Sequence, residues 1–209
     1  MTSSDDTALP AGAIGELSHR VGASYGADRT TGREHQWRIG AACAKFNGAI
    51  TLRLVEGLIA GLVSSGIDPA TLGIAWVPGA FELPLAAQKL ALSGRYDAVV
   101  CLGAVVRGGT PHFDFVAHQC AAGIEQVALA TGVPVLMGVL TTDDIGQALD
   151  RSKPGDPSNK GYEAAIGALE MADMLASLAG AGPASDRPAS DRPASAGGTD
   201  LPTGGDSSC

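Results

Sequence analysis

The densest run of chemically useful residues in this 209-residue chain is GAVVRGGTPHFDF, positions 103–115. Gly108 and Gly109 would let the backbone approach a ligand closely, and the Thr110 hydroxyl stands beside them. With a helix starting a few residues on, its free amides and that hydroxyl suit a phosphate. His112 adds the side-chain type whose ordinary pKa, about 6.5, lets it move protons near neutrality. The run has neither the lysine of a P-loop nor the spacing of a dinucleotide fingerprint, which disfavours nucleoside triphosphates and dinucleotides. A glycine turn with no ligand and a surface histidine is the plainer reading of the same residues.

Three further positions could join that run. Phe46 lies in a polar break, Lys45-Phe46-Asn47-Gly48, of a chain with only 4% aromatic residues. It either packs into the core or stacks on a flat ring. Glu82, in PGAFELP, falls in the first turn of an expected helix, where the helix dipole already favours a carboxylate. Its functional alternative is to accept hydrogen bonds from hydroxyls or amines of a polar ligand. Arg151 follows a short expected helix, where it either completes the C-terminal electrostatics or clamps a phosphate. Read from the residues alone, this is a small-molecule site for a phosphorylated ligand, with His112 a candidate acid or base.

These residues need a scaffold, and the composition supplies one. Hydrophobic residues make up 45% and charged residues 17%, enough for a packed core. With 22 acidic and 14 basic side chains the formal charge is -8, which lacks the footprint of a general nucleic-acid binder. An anion must therefore be held by local donors. The four cysteines (Cys43, Cys101, Cys120, Cys209) form no CxxC pair and no zinc spacing. No run approaches the ~20 apolar residues of a membrane span, and the first residues carry acids where a signal peptide would be apolar. The expectation is a cytoplasmic protein with no metal, no cofactor, and no nucleic-acid or membrane partner.

Between polar ends, apolar runs alternate with helical periods. Strands are expected at 38–43, 73–78, 97–106 and 133–140. Helices are expected after each, with Leu52, Val55, Ile59, Leu62 and Val63 forming the buried stripe of the first. The later helices are expected at 81–92, at about 114–130, from near Asp143, and from Lys160 to Leu178. This alternation predicts an α/β fold: a three-layer, doubly wound, flavodoxin-like arrangement around a four-stranded parallel sheet. Residues 1–37 and 179–209, the latter holding a repeated PASDR unit, are expected to be disordered extensions flanking a catalytic domain at 38–178.

Five segments, KFNGAIT, VPGAFELP, GAVVRGGTPHFDFV, GVLTTDDIGQALDR and NKGYEAA, occur in an order that resembles the lumazine synthase family of riboflavin biosynthesis. The resemblance covers about 38–178. It implies condensation of 5-amino-6-(D-ribitylamino)uracil with 3,4-dihydroxy-2-butanone 4-phosphate, giving 6,7-dimethyl-8-ribityllumazine, phosphate and water. It also implies that Phe46 stacks on the pyrimidine, and that Ala80, Phe81, Glu82, Ala104, Val105 and Val106 line the ribitylaminouracil site. Gly109, Thr110 and Arg151 would hold the phosphate, with Lys160 a further candidate there. His112 would transfer protons, while Arg107 belongs to the motif without an assigned role. Met137 stands where many members carry an aromatic residue over the pyrimidine. The family implies a homo-pentamer with sites at the subunit interfaces, Met137 and Arg151 coming from the neighbour, and in some members a shell of 60 subunits. The loop SKPGDPSN, with two prolines and one extra residue, departs from that of shell-forming members. A flavodoxin-like binding protein without turnover, and a shell protein with a decayed site, are the rival readings.

Overall fold

The computed structural model describes residues 37–179. The expectation of disorder at the two ends falls outside the described residues, apart from Trp37 and Ala179. Trp37 is 2% exposed, and its indole Nε1 donates to Asp173 Oδ1 at 2.7 Å.

The elements are β1 (Ile39–Ala44), α1 (Gly48–Ser64), β2 (Gly73–Val77), α2 (Leu83–Leu92), β3 (Ala98–Val106), α3 (His112–Thr131), β4 (Val135–Thr142), α4 (Ile145–Asp150) and α5 (Lys160–Ala179). Short 3-10 turns at Pro69–Thr71 and Ala80–Glu82 supplement them. All strand pairs are parallel, in the order β2-β1-β3-β4. All six residues of β1 and the first seven of β3 are buried. Such continuous apolar strands are what helices on both faces require. Alternate side chains serve alternate faces. Ala41, Cys43, Val100 and Leu102 meet Leu54, Leu58 and Leu169 on one face; Ala42, Ala44, Val99 and Cys101 meet Leu83, Ala87 and Ile124 on the other. The three-layer, doubly wound sheet expected from the alternation is the fold observed.

Several details differ from the sequence reading; the second helix, for instance, starts at Leu83 and not at 81, after the 3-10 turn that holds Glu82. In α1 the buried face is Ile50, Thr51, Leu54, Val55, Gly57, Leu58, Gly61 and Leu62, while Leu52 and Val63 are each 53% exposed. The reason is close approach by α5: a Cβ on Gly61 would lie 2.7 Å from that of Ala165. A stripe scored on large apolar residues cannot register a face whose contact is glycine. The fourth strand starts and ends two residues later than expected, because its pairing with β3 runs on to Val106 opposite Thr142. Before it, α3 ends at Gly132, whose φ of 68° is the left-handed cap that glycine adopts without strain. The third helix begins at His112, two residues early, which makes the histidine its first residue.

Cys43, Cys101 and Cys120 are fully buried. Loss of hydration pushes the Cys43 thiol up to about 12 and that of Cys120 up to about 11, and raises Cys101 as well. They are protonated apolar side chains at neutral pH.

The α1–α5 contact is tightest at Gly161, where a Cβ would overlap the carbonyl oxygen of Leu54. Gly161→Ala is therefore expected to lower stability by about 1–3 kcal/mol, the usual range for overpacking. Denaturant unfolding checks this; an unchanged midpoint would mean that α5 shifts freely.

Candidate active site

Turns at the carboxyl ends of β1, β2 and β3 enclose a cavity of about 690 Å³. Its walls are Phe46, Pro78 to Glu82, Ala104 to Val106, Gly108, Thr110 and His112, with Phe113, Phe115 and Val116 from α3. Each wall has a local cause. Asn47 adopts the left-handed conformation (φ 56°), which asparagine tolerates better than most residues. Its Nδ2 donates to the Ala104 carbonyl at 2.9 Å, and the Phe46 amide donates to Pro78 O at 3.0 Å. These bonds tie the turn after β1 to the ends of β2 and β3. Phe46 is 71% exposed, so the core-packing reading fails and its ring stands in the cavity wall.

Glu82 ends the 3-10 turn that opens α2, and its Oε2 accepts the Gly79 amide at 2.9 Å. That bond fixes the turn presenting Ala80 and Phe81. The carboxylate thus has a structural task, and one of its oxygens is already committed.

His112 opens the 20-residue α3 directly after Pro111, exposed at the cavity wall beside Thr110. Gly109 is exposed in the same loop but forms no part of the wall. The neighbouring Arg107 braces this loop. Its Nε donates to Asp143 Oδ1 at 2.9 Å, its Nη1 donates to Asp114 Oδ1 at 3.1 Å, and its guanidinium lies 4.0 Å from the Phe113 ring centroid. The hydrogen bond to Asp143, followed by that to Asp114, holds the guanidinium pKa above its ordinary value. Arg107 therefore joins the turn after β4 to the first turn of α3.

A second cavity, of about 380 Å³, runs along the open edge of β4. Leu136 to Thr141 form its floor, and Arg151, Lys160, Glu163 and Ala164 its rim. Met137 is 46% exposed here. Lys160 Nζ pairs with Glu163 Oε2 at 2.6 Å. Arg151 has no carboxylate partner among the described residues; its Nη1 donates only to the Gln147 carbonyl at 3.1 Å.

The candidate residues thus divide. Phe46, Ala80, Phe81, Glu82, Ala104, Val105, Val106, Thr110 and His112 share one cavity, while Met137, Arg151 and Lys160 share the other. A single chain does not bring the two sets together. Sequence reading missed Phe113, Phe115 and Val116 in the first wall. Two aromatics within three residues of His112, in a chain so poor in them, were the available signal.

A doubly wound parallel sheet with a cavity beyond its strand ends and a long helix opening beside it defines a small-molecule α/β enzyme site. Residues 36–176 match the family described as 6,7-dimethyl-8-ribityllumazine synthase. The chain is 52% identical over 143 residues to the 6,7-dimethyl-8-ribityllumazine synthase of Protochlamydia amoebophila (strain UWE25), covering 68% of this chain and 81% of that protein. The chain belongs to the 6,7-dimethyl-8-ribityllumazine synthase family. It is a transferase of riboflavin biosynthesis, as the five ordered segments implied.

Proposed function

We propose that the enzyme condenses 5-amino-6-(D-ribitylamino)uracil with 3,4-dihydroxy-2-butanone 4-phosphate, releasing 6,7-dimethyl-8-ribityllumazine, phosphate and water. The observation that carries this reading is the 690 Å³ cavity, which gathers an exposed aromatic ring, a carboxylate, a glycine-threonine turn and a histidine on one wall. Phe46 stacks on the pyrimidine. Ala80, Phe81, Glu82 and the backbone of Ala104, Val105 and Val106 receive the ring and the ribityl chain. Gly109 and Thr110 hold the phosphate near the free amides opening α3.

The chemistry asks little of the protein. The 5-amine condenses with the ketone and expels water, and phosphate is eliminated to leave an enol that becomes a second carbonyl. The ribitylamino nitrogen then closes the ring on that carbonyl with loss of a further water. Holding both substrates together supplies much of the acceleration. His112, at the phosphate end of the wall, transfers protons, a contribution of ~10²–10⁴-fold for a well-placed group.

Arg151 and Met137 act from the neighbouring subunit of a homo-pentamer, and Lys160 adds charge beside Arg151. Supporting this is their position on the open edge of β4, in a separate cavity from His112. The enzyme works in the cytoplasm; among the described residues no helix is long and apolar enough to cross a membrane. Purified protein given both substrates is expected to develop lumazine fluorescence. Binding without turnover would instead favour a flavodoxin-like binding protein.

Assembly offers a separate check. The loop between Arg151 and Lys160 contains Pro154 and Pro157, each fixing φ near −65° and lacking an amide donor. Pentamers that do not close into a shell are expected. Analytical ultracentrifugation decides: a dominant species near 60 subunits would refute the open pentamer, and an active monomer would refute the shared site.

A further inference from the structure

We propose that Asn159, together with Arg53, is the positioning residue for the cations at the β4 edge. This rests on reading Arg151 and Lys160 as the phosphate-binding side of the site. Asn159 is 1% exposed, the last residue of the loop before α5. Its Nδ2 donates to the carbonyls of Arg53 and Lys153, each at 3.1 Å, and its Oδ1 accepts the Gly161 amide at 2.8 Å. Both amide protons and the oxygen are therefore used, in three directions: toward α1, toward the loop, and toward the first turn of α5. Gly57 of α1 leaves the space this amide occupies, since a Cβ there would overlap it.

The neighbouring backbone passes the constraint on. The Lys160 amide donates to the Arg151 carbonyl at 2.9 Å, so the two cation-bearing residues are joined directly across the loop. From the other side, Arg53 Nε donates to Ser152 O at 3.0 Å and Nη2 donates to Leu149 O at 3.3 Å, capping the end of α4 next to Arg151. Arg151 is exposed and Lys160 half-buried, and their own side-chain contacts do not anchor the loop. What fixes their backbone is α1, through Arg53 and Asn159. The same helix follows directly on Phe46 and Asn47, so one rigid element sets the ring wall of the first cavity and the cations of the second.

The test is steady-state kinetics with each substrate varied in turn, alongside calorimetric titration with inorganic phosphate. Full-length wild type is compared with Asn159→Ala, Arg53→Ala and Arg53→Lys. Both alanine variants are expected to raise KM for the butanone phosphate about tenfold or more, as displaced positioning groups do. Phosphate binding should weaken in parallel while KM for the pyrimidine holds, and Arg53→Lys should recover most of the loss. A merely structural role would lower kcat through the active fraction and leave both KM values unchanged, which would overturn the proposal. Should Asn159→Ala not fold, the half-buried Arg53→Ala decides alone. A wild type that lacks turnover, with phosphate binding still weakened in the variants, would refute the proposed reaction but uphold the positioning. Turnover with unaltered phosphate binding in Arg53→Ala would do the reverse.

Discussion

His112→Ala is expected to fold and assemble as the wild type does, yet turn over about 10–10³-fold more slowly. Structural neutrality follows from its place: the side chain is exposed at the start of α3 and makes no hydrogen bond to another described residue. Truncation leaves no buried partner unsatisfied, so stability has little to lose. The kinetic loss follows from the same place, because His112 stands next to Thr110 on the cavity wall. Some activity should survive, since orienting the two substrates does not depend on the imidazole. Initial rates of lumazine fluorescence, set beside a thermal melt, separate the two effects. Wild-type turnover in a folded variant would end the proton-transfer role.

Arg151→Ala is expected to raise KM for the butanone phosphate by roughly 10–150-fold, the equivalent of a lost charge-assisted contact of ~1.5–3 kcal/mol. The argument is electrostatic. The chain is acidic overall, so an anion depends on local cations, and Arg151 has no carboxylate partner among the described residues. Lys160 is already paired to Glu163 and Arg107 to two aspartates, which leaves each a weaker candidate to take over. Because the only side-chain hydrogen bond from Arg151 among the described residues is a solvent-exposed one to the Gln147 carbonyl of α4, its loss should leave the fold intact. Titration calorimetry with inorganic phosphate provides the direct reading, and an affinity equal to wild type would remove Arg151 from the site.

Several features were legible without coordinates. The alternation of apolar runs with helical periods specified a parallel, doubly wound sheet, because a strand covered on both faces must be apolar throughout. The family was legible from the five ordered segments, and the run around His112 was marked by glycine, threonine and histidine types rare in a buried strand. Tertiary structure decided the rest. That Met137 lies on an open edge, and that Arg151 and Lys160 share a different cavity from His112, depends on the order β2-β1-β3-β4. Strand order is set by long-range packing and leaves no local period to read. The buried face of α1 turned on Gly57 and Gly61, whose contribution is the absence of a side chain. Asn159 opens the NKGYEAA segment but reaches Arg53 only through folding, across 106 residues of chain. Local pattern records what each segment must bury; which distant segment does the burying is settled only where side chains and gaps meet in three dimensions.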